Sequence, residues 1–135
     1  MLETLLTPVV SAQFLTLAFL AILFLQSGVD KIIDFKGNLA WLTGHFAKSP
    51  LAGQVAPMLA VITLTETAAG ALAAAGAVML AVDGSKTLGL HAAQLCAVNI
   101  VMLFFGQRLA KDYAGAASLV PYFILCVGAV VLMSL

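Results

Sequence analysis

No charge falls between Thr4 and Val29, and Phe14 through Leu25 is nearly unbroken hydrocarbon. A bilayer core takes roughly 20 apolar residues of helix to cross, so this run predicts a first spanning helix over 9–33. Its beginning, Met1-Leu2-Glu3-Thr4-Leu5-Leu6-Thr7-Pro8, lacks the basic leader of a signal peptide, and the apolar run is too long for one, which predicts a retained helix. The next stretch, 34–56, is too polar to span and is broken by Gly37, Gly44, Pro50 and Gly53. Phe35, Leu39, Leu42 and Phe46 still recur at helical spacing beside Trp41, the pattern of a short helix lying among headgroups. A second span over 57–82 opens on Pro57, a residue suited to a first helical turn, and stops at the turn Asp83-Gly84-Ser85. The third span covers 87–105, residues 106–114 connect, and the fourth runs over 115–135 with Pro121 in its first turns, where proline costs least. The pattern predicts an all-α fold: an integral membrane four-helix bundle forming a single transmembrane domain, with a short interfacial helix between the first and second spans.

Composition agrees, with 63% hydrophobic and 9% charged residues, against about 25% charged in an average soluble domain. Net charge is zero, so there is no broad basic surface for nucleic acid. Cys96 and Cys126 lie in apolar runs without a CxxC, which argues for small buried side chains and against a disulfide framework or a metal site. Their similar depth on helices joined by a short connection leaves a reversible dithiol open. Lys31, Lys36, Lys48, Arg108 and Lys111 fall on the first and third connections or beside them, and only Lys86 on the second. The positive-inside rule then places loops 34–56 and 106–114 in the cytoplasm and both chain ends outside.

One acid interrupts the second span. Between Ser49 and Val82, Glu66 is the only charged residue, and Ala68, Ala69, Gly70, Ala71, Ala73 and Gly76 follow it with side chains small enough for close helix approach. An ionisable group at that depth costs on the order of 2.5–3.5 kcal/mol to insert, so it faces a bundle interior or a wet cavity. Counted at about 1.5 Å per residue, Glu66, Gln26, Asn99 and Tyr122 each lie about 10–13 Å from the same end of their helices. Lys31 stands one helical turn beyond Ser27 near the end of the first span. Such a layer either pins helix register by mutual hydrogen bonding or binds a polar headgroup arriving from lipid, with Glu66 able to exchange a proton. A quinone suits the second reading, because its carbonyls need donors while its tail lies in lipid. His45 reads as a solvated interfacial side chain and His91 as an interfacial or capping one.

The stretch Gln26-Ser27-Gly28-Val29-Asp30-Lys31-Ile32-Ile33-Asp34-Phe35, Pro57 opening the second span, and Glu66 followed by Gly70 and Gly76 together resemble the DoxX family over about the first two-thirds of the chain. Gly28, Lys31 and Glu66 match the family pattern. The fourth span departs from it, carrying Ser118-Leu119-Val120-Pro121-Tyr122 where an amide followed by a glycine pair is more typical. The resemblance implies a small four-helix protein of the bacterial inner membrane, related to subunits of thiosulfate:quinone oxidoreductase or to partners of thiol and oxidative-stress enzymes.

No haem ligand pair, iron–sulfur cysteine set or nucleotide loop is visible in the sequence. The expectation is an accessory or quinone-associated subunit of a membrane redox system, receiving electrons from another polypeptide or a diffusible donor. The alternatives are a non-catalytic assembly subunit that docks a larger complex through the Ala/Gly face, and a small carrier that works as a homo-oligomer.

Overall fold

A computed structural model describes residues 2–135, and among them every regular element is helical. A single turn, α1 (Leu2–Leu5), precedes α2 (Pro8–Ile33), which begins on its proline. At Asp34 the backbone leaves helical dihedrals (φ −120°, ψ 52°), and the Asp34 carboxylate accepts the Gly37 N–H to cap α3 (Phe35–His45). A 3-10 turn at Ala52–Gln54 leads into α4 (Val55–Asp83), which ends where Gly84 turns left-handed at φ 74°. Then come α5 (Thr87–Leu109), α6 (Tyr113–Ser118) and α7 (Val120–Met133).

The second span begins at Val55, two residues before Pro57, and the fourth covers Tyr113–Met133 where 115–135 is expected; two departures are larger. The third span continues one turn past Phe105, because Gly106 is tolerated within the helix and Arg108 favours its negative end; Lys111 then breaks the chain with φ 61°. Gln107 is therefore helical. The fourth span is broken at Leu119, where α6 stops and α7 restarts with Pro121 in its first turn.

α2 packs along α4, α4 along α5, and α5 along α7, with a thinner seam between α7 and α2. Near the start of α2, Gln13 donates from Nε2 to the Leu132 carbonyl at 2.9 Å, so the beginning of the first long helix meets the end of the last. Leu20, Phe24, Ala69, Ala73, Ile100 and the free thiols Cys96 and Cys126 form the central core. Large apolar side chains face outward and several polar ones face inward: Leu64 is 71% and Ile22 70% exposed, whereas Glu66 is 1% and Asn99 0% exposed. That inversion is what a hydrocarbon solvent demands of a folded chain. Four helical segments, Pro8–Ile33, Ala52–Asp83, Thr87–Leu109 and Tyr113–Met133, are long and apolar enough to cross a membrane, which points to a multi-pass membrane protein.

Close approach holds the seams. A Cβ added at Gly70 would stand 2.6 Å from the Leu25 backbone nitrogen of α2, and one at Gly76 would stand 2.7 Å from the Gly89 nitrogen of α5. The small-residue face of α4 is thus occupied within the chain: Ala69, Gly70, Ala73, Gly76 and Ala77 are buried, and Ala71 and Ala75 remain on the outside. Gly70→Val should lower stability by about 1–3 kcal/mol in thermal unfolding in mild detergent, because backbone cannot yield to the added methyls. Gly128→Val, with open space around its Cβ position, is the size-matched control and should unfold with the wild-type protein.

Candidate functional site

On α2 the inward stripe runs Gln13, Leu17, Leu20, Phe24 and Gly28 at spacings of three and four, and Lys31 continues it at the last turn. On α4 the matching stripe runs Leu59, Thr63, Glu66, Gly70 and Ala73. Where they meet, Lys31 Nζ lies 3.2 Å from Glu66 Oε2, with the lysine side chain 18% and the glutamate side chain 2% exposed. The same ammonium donates to Ser27 Oγ at 2.7 Å, the i,i+4 partner on its own helix. The approach of the two helices depends on Gly28, whose missing Cβ leaves room for the Thr67 hydroxyl and backbone.

The residue before Glu66 serves the other neighbour. Asn99 of α5 donates from Nδ2 to the Thr65 carbonyl at 3.1 Å and to the Leu95 carbonyl at 3.2 Å, while its Oδ1 lies 2.7 Å from the Thr65 hydroxyl. One residue of rotation, about 100°, separates these two sets of contacts on α4. Asn99 is therefore a clamp between α4 and α5, joined to Thr65 and making no hydrogen bond to Glu66.

Of the five residues singled out in the sequence, the structure brings Glu66 and Lys31 into contact and sets Asn99 one position away on the same helix. Gln26 and Tyr122 are placed elsewhere. Gln26 lies two residues from both Phe24 and Gly28, hence roughly 200° around α2 from the inward stripe, and it is exposed. Tyr122 stands in the first turn of α7, 37% exposed and without a hydrogen bond among the described residues. Its depth along the fourth span does not bring it to Glu66, because its side chain sits on the exposed side of α7. Equal depth alone carries no information about azimuth, and azimuth decides which side chains meet.

The structure also gathers groups that the sequence left apart. A cavity of about 140 Å³ opens at the α3 end between α2, α3, α4 and α5. Leu42, Phe46, Met58, Leu59 and Met102 form its apolar walls, and Lys31 and Gln107 supply its polar side chains. Met58, Ile62, Met102 and Gly106 also line a second, larger hollow of about 360 Å³ along α4 and α5, so the two adjoin. Beside the cavity, His45 Nε2 lies 2.8 Å from Gln107 Oε1 and 3.5 Å from Asp112 Oδ2, and the ring stacks on Trp41 with centroids 4.7 Å apart. The sequence pattern puts Gln107 and Asp112 in a connection. The usable signal was Gln107 four residues beyond Leu103, one turn further along the face that carries Asn99. His91 faces outward and pairs with Gln94 at 3.1 Å.

This arrangement can hold a small amphiphile by its polar end, with a cation already neutralised by a buried carboxylate and an amide lining the same cavity. Among the described residues there is no group of three or more His, Cys, Asp or Glu side chains that could hold a metal.

Lys31→Met should destabilise the protein by about 3–5 kcal/mol, because it strands Glu66 as an unpaired acid inside the bundle. Glu66→Gln should cost clearly less, since Lys31 sits in the last turn of α2 and can extend its ammonium past the helix end. The double variant Lys31→Met/Glu66→Gln should recover much of the first loss, and thermal unfolding of the four proteins in detergent measures the coupling.

Comparison of the chain with protein-family models, with curated proteins and with solved structures finds no match.

Proposed function

We propose that the protein is an accessory, quinone-associated subunit of a bacterial inner-membrane redox system, in keeping with its resemblance to the DoxX family. The observation that carries this reading is the Lys31 ammonium, with the Gln107 amide, on the wall of a cavity whose other side chains are apolar. Because Glu66 already balances the charge of Lys31, the cavity favours a neutral hydrogen-bonding head over a carboxylate or phosphate. A quinone has such a head, and the adjoining hollow along α4 and α5 gives its tail an apolar path toward lipid. Electrons come from another polypeptide or a diffusible donor, and the chain contributes a binding site.

In this reading α3 lies in the headgroup layer, with Trp41, 63% exposed, at the water–lipid boundary. The loops at that end, with Lys36, Lys48, Arg108 and Lys111, face the cytoplasm and both chain ends face outward. The cavity then opens near the cytoplasmic surface, within reach of a soluble or membrane-bound redox partner.

Organic extraction of the protein purified in mild detergent should yield a bound quinone, at up to one per chain. Lys31→Met should abolish it, and Gln26→Leu and Tyr122→Phe should retain it. An extract without quinone from the wild-type protein overturns the proposal. Copurification of a large partner in fixed ratio, with no small molecule, would favour the assembly subunit instead.

A further inference from the structure

The approach of Asp112 to His45 at the α3 end favours one orientation of the Gln107 amide. His45 Nε2 faces two atoms, Asp112 Oδ2 at 3.5 Å and the Gln107 amide at 2.8 Å. An ionised carboxylate only accepts and repels a ring lone pair, so it favours the neutral tautomer with a hydrogen on Nε2, and a protonated ring carries one there as well. The amide atom beside it is then the oxygen, and the NH2 group of Gln107 turns away from His45. It has no acceptor among the described residues, and Gln107 lines the cavity. Asp112 is itself held by its second oxygen, which accepts the Gly115 N–H at 2.9 Å and caps α6.

Lys31 offers a donor too. Its ammonium has three N–H groups. Ser27 Oγ takes one at 2.7 Å and Glu66 Oε2 another at 3.2 Å, which leaves the third for the cavity that Lys31 lines. The only other side-chain heteroatoms on the wall are the thioether sulfurs of Met58 and Met102, which accept weakly.

We infer that the cavity is a donor-only site, kept so by Asp112 and His45 acting on Gln107 as positioning residues, and that it selects the oxidised form of a quinone over its quinol. This inference rests on the quinone reading above. Carbonyl oxygens of the oxidised ring accept from Lys31 and Gln107. The hydroxyls of the quinol bring protons that find no good acceptor, and a buried donor left unmade weakens binding by roughly tenfold or more.

The test uses the full chain in lipid nanodiscs and anaerobic titration calorimetry with a short-chain benzoquinone and its hydroquinone. The wild-type protein should bind the oxidised form roughly tenfold or more tightly than the reduced form. Asp112→Asn keeps a side chain that caps α6 well but frees His45 to accept and Gln107 to flip. It should bring the affinity ratio toward one while thermal stability stays unchanged, a result that a merely structural role for Asp112 does not produce. Gln107→Glu replaces the donor with an acceptor and should shift the preference toward the quinol. Equal wild-type affinities, or a ratio untouched by both substitutions, overturn the donor-only site and leave the quinone reading standing. Binding of neither form overturns the quinone reading, and the preference falls with it.

Discussion

The contact between Lys31 and Glu66 is the constraint around which the bundle is arranged. A carboxyl group with 1% of its residue surface exposed has little water to lean on, so it must be neutralised from within. The lysine that does so comes from the far end of α2, and its own position is steadied by Ser27 one turn back. For the two groups to reach 3.2 Å, α2 and α4 must nearly touch, which is why Gly28 and Gly70 lie on the seam at positions where any Cβ would strike the opposite helix. Charge pairing and backbone contact are two aspects of one packing solution.

That solution leaves α4 as the shared partner of both neighbours. Glu66 addresses α2, and Thr65 addresses α5 through Asn99. Each polar residue is satisfied by the helix it faces, so the interior holds few buried side-chain atoms without a partner; among the described residues Gln13 Oε1 is one. In a solvent as apolar as a lipid tail, helices gain little from burying hydrocarbon, and such hydrogen bonds and close contacts carry more of the association.

The cavity follows from the same arrangement at its open end. Where α2 stops at Asp34 and the chain turns into α3, the helices no longer close over one another, and Phe46, Met58 and Met102 surround a space whose polar rim is Lys31 and Gln107. The ion pair lends this rim a donor without lending it net charge. His45, braced by Trp41 and held between Gln107 and Asp112, ties the loop after α5 to the end of α3. A chemically defined pocket therefore stands beside the structural pair, sharing one of its residues.

The existence, number and approximate limits of the long helices were legible in the sequence, because uninterrupted apolar length and turn formers such as Asp83-Gly84-Ser85 are local properties. So was the inward facing of Glu66, a lone acid in an apolar helix, and the pairing of Ser27 with Lys31, which is fixed by one turn of helix. The tertiary structure alone decided which polar groups meet. Depth along a helix can be counted from the sequence, but rotation about its axis relative to a neighbour is set by packing, and that rotation turned Gln26 outward, joined Asn99 to Thr65 and brought Lys31 to Glu66. The added turn of α5 and the break at Leu119 lie at helix ends, where local signals such as Gly106, Arg108 and Pro121 are compatible with more than one boundary. Packing against neighbouring elements set Gln107 on a cavity wall and left Tyr122 on the exposed side, because which face of a helix is covered depends on segments distant in the chain.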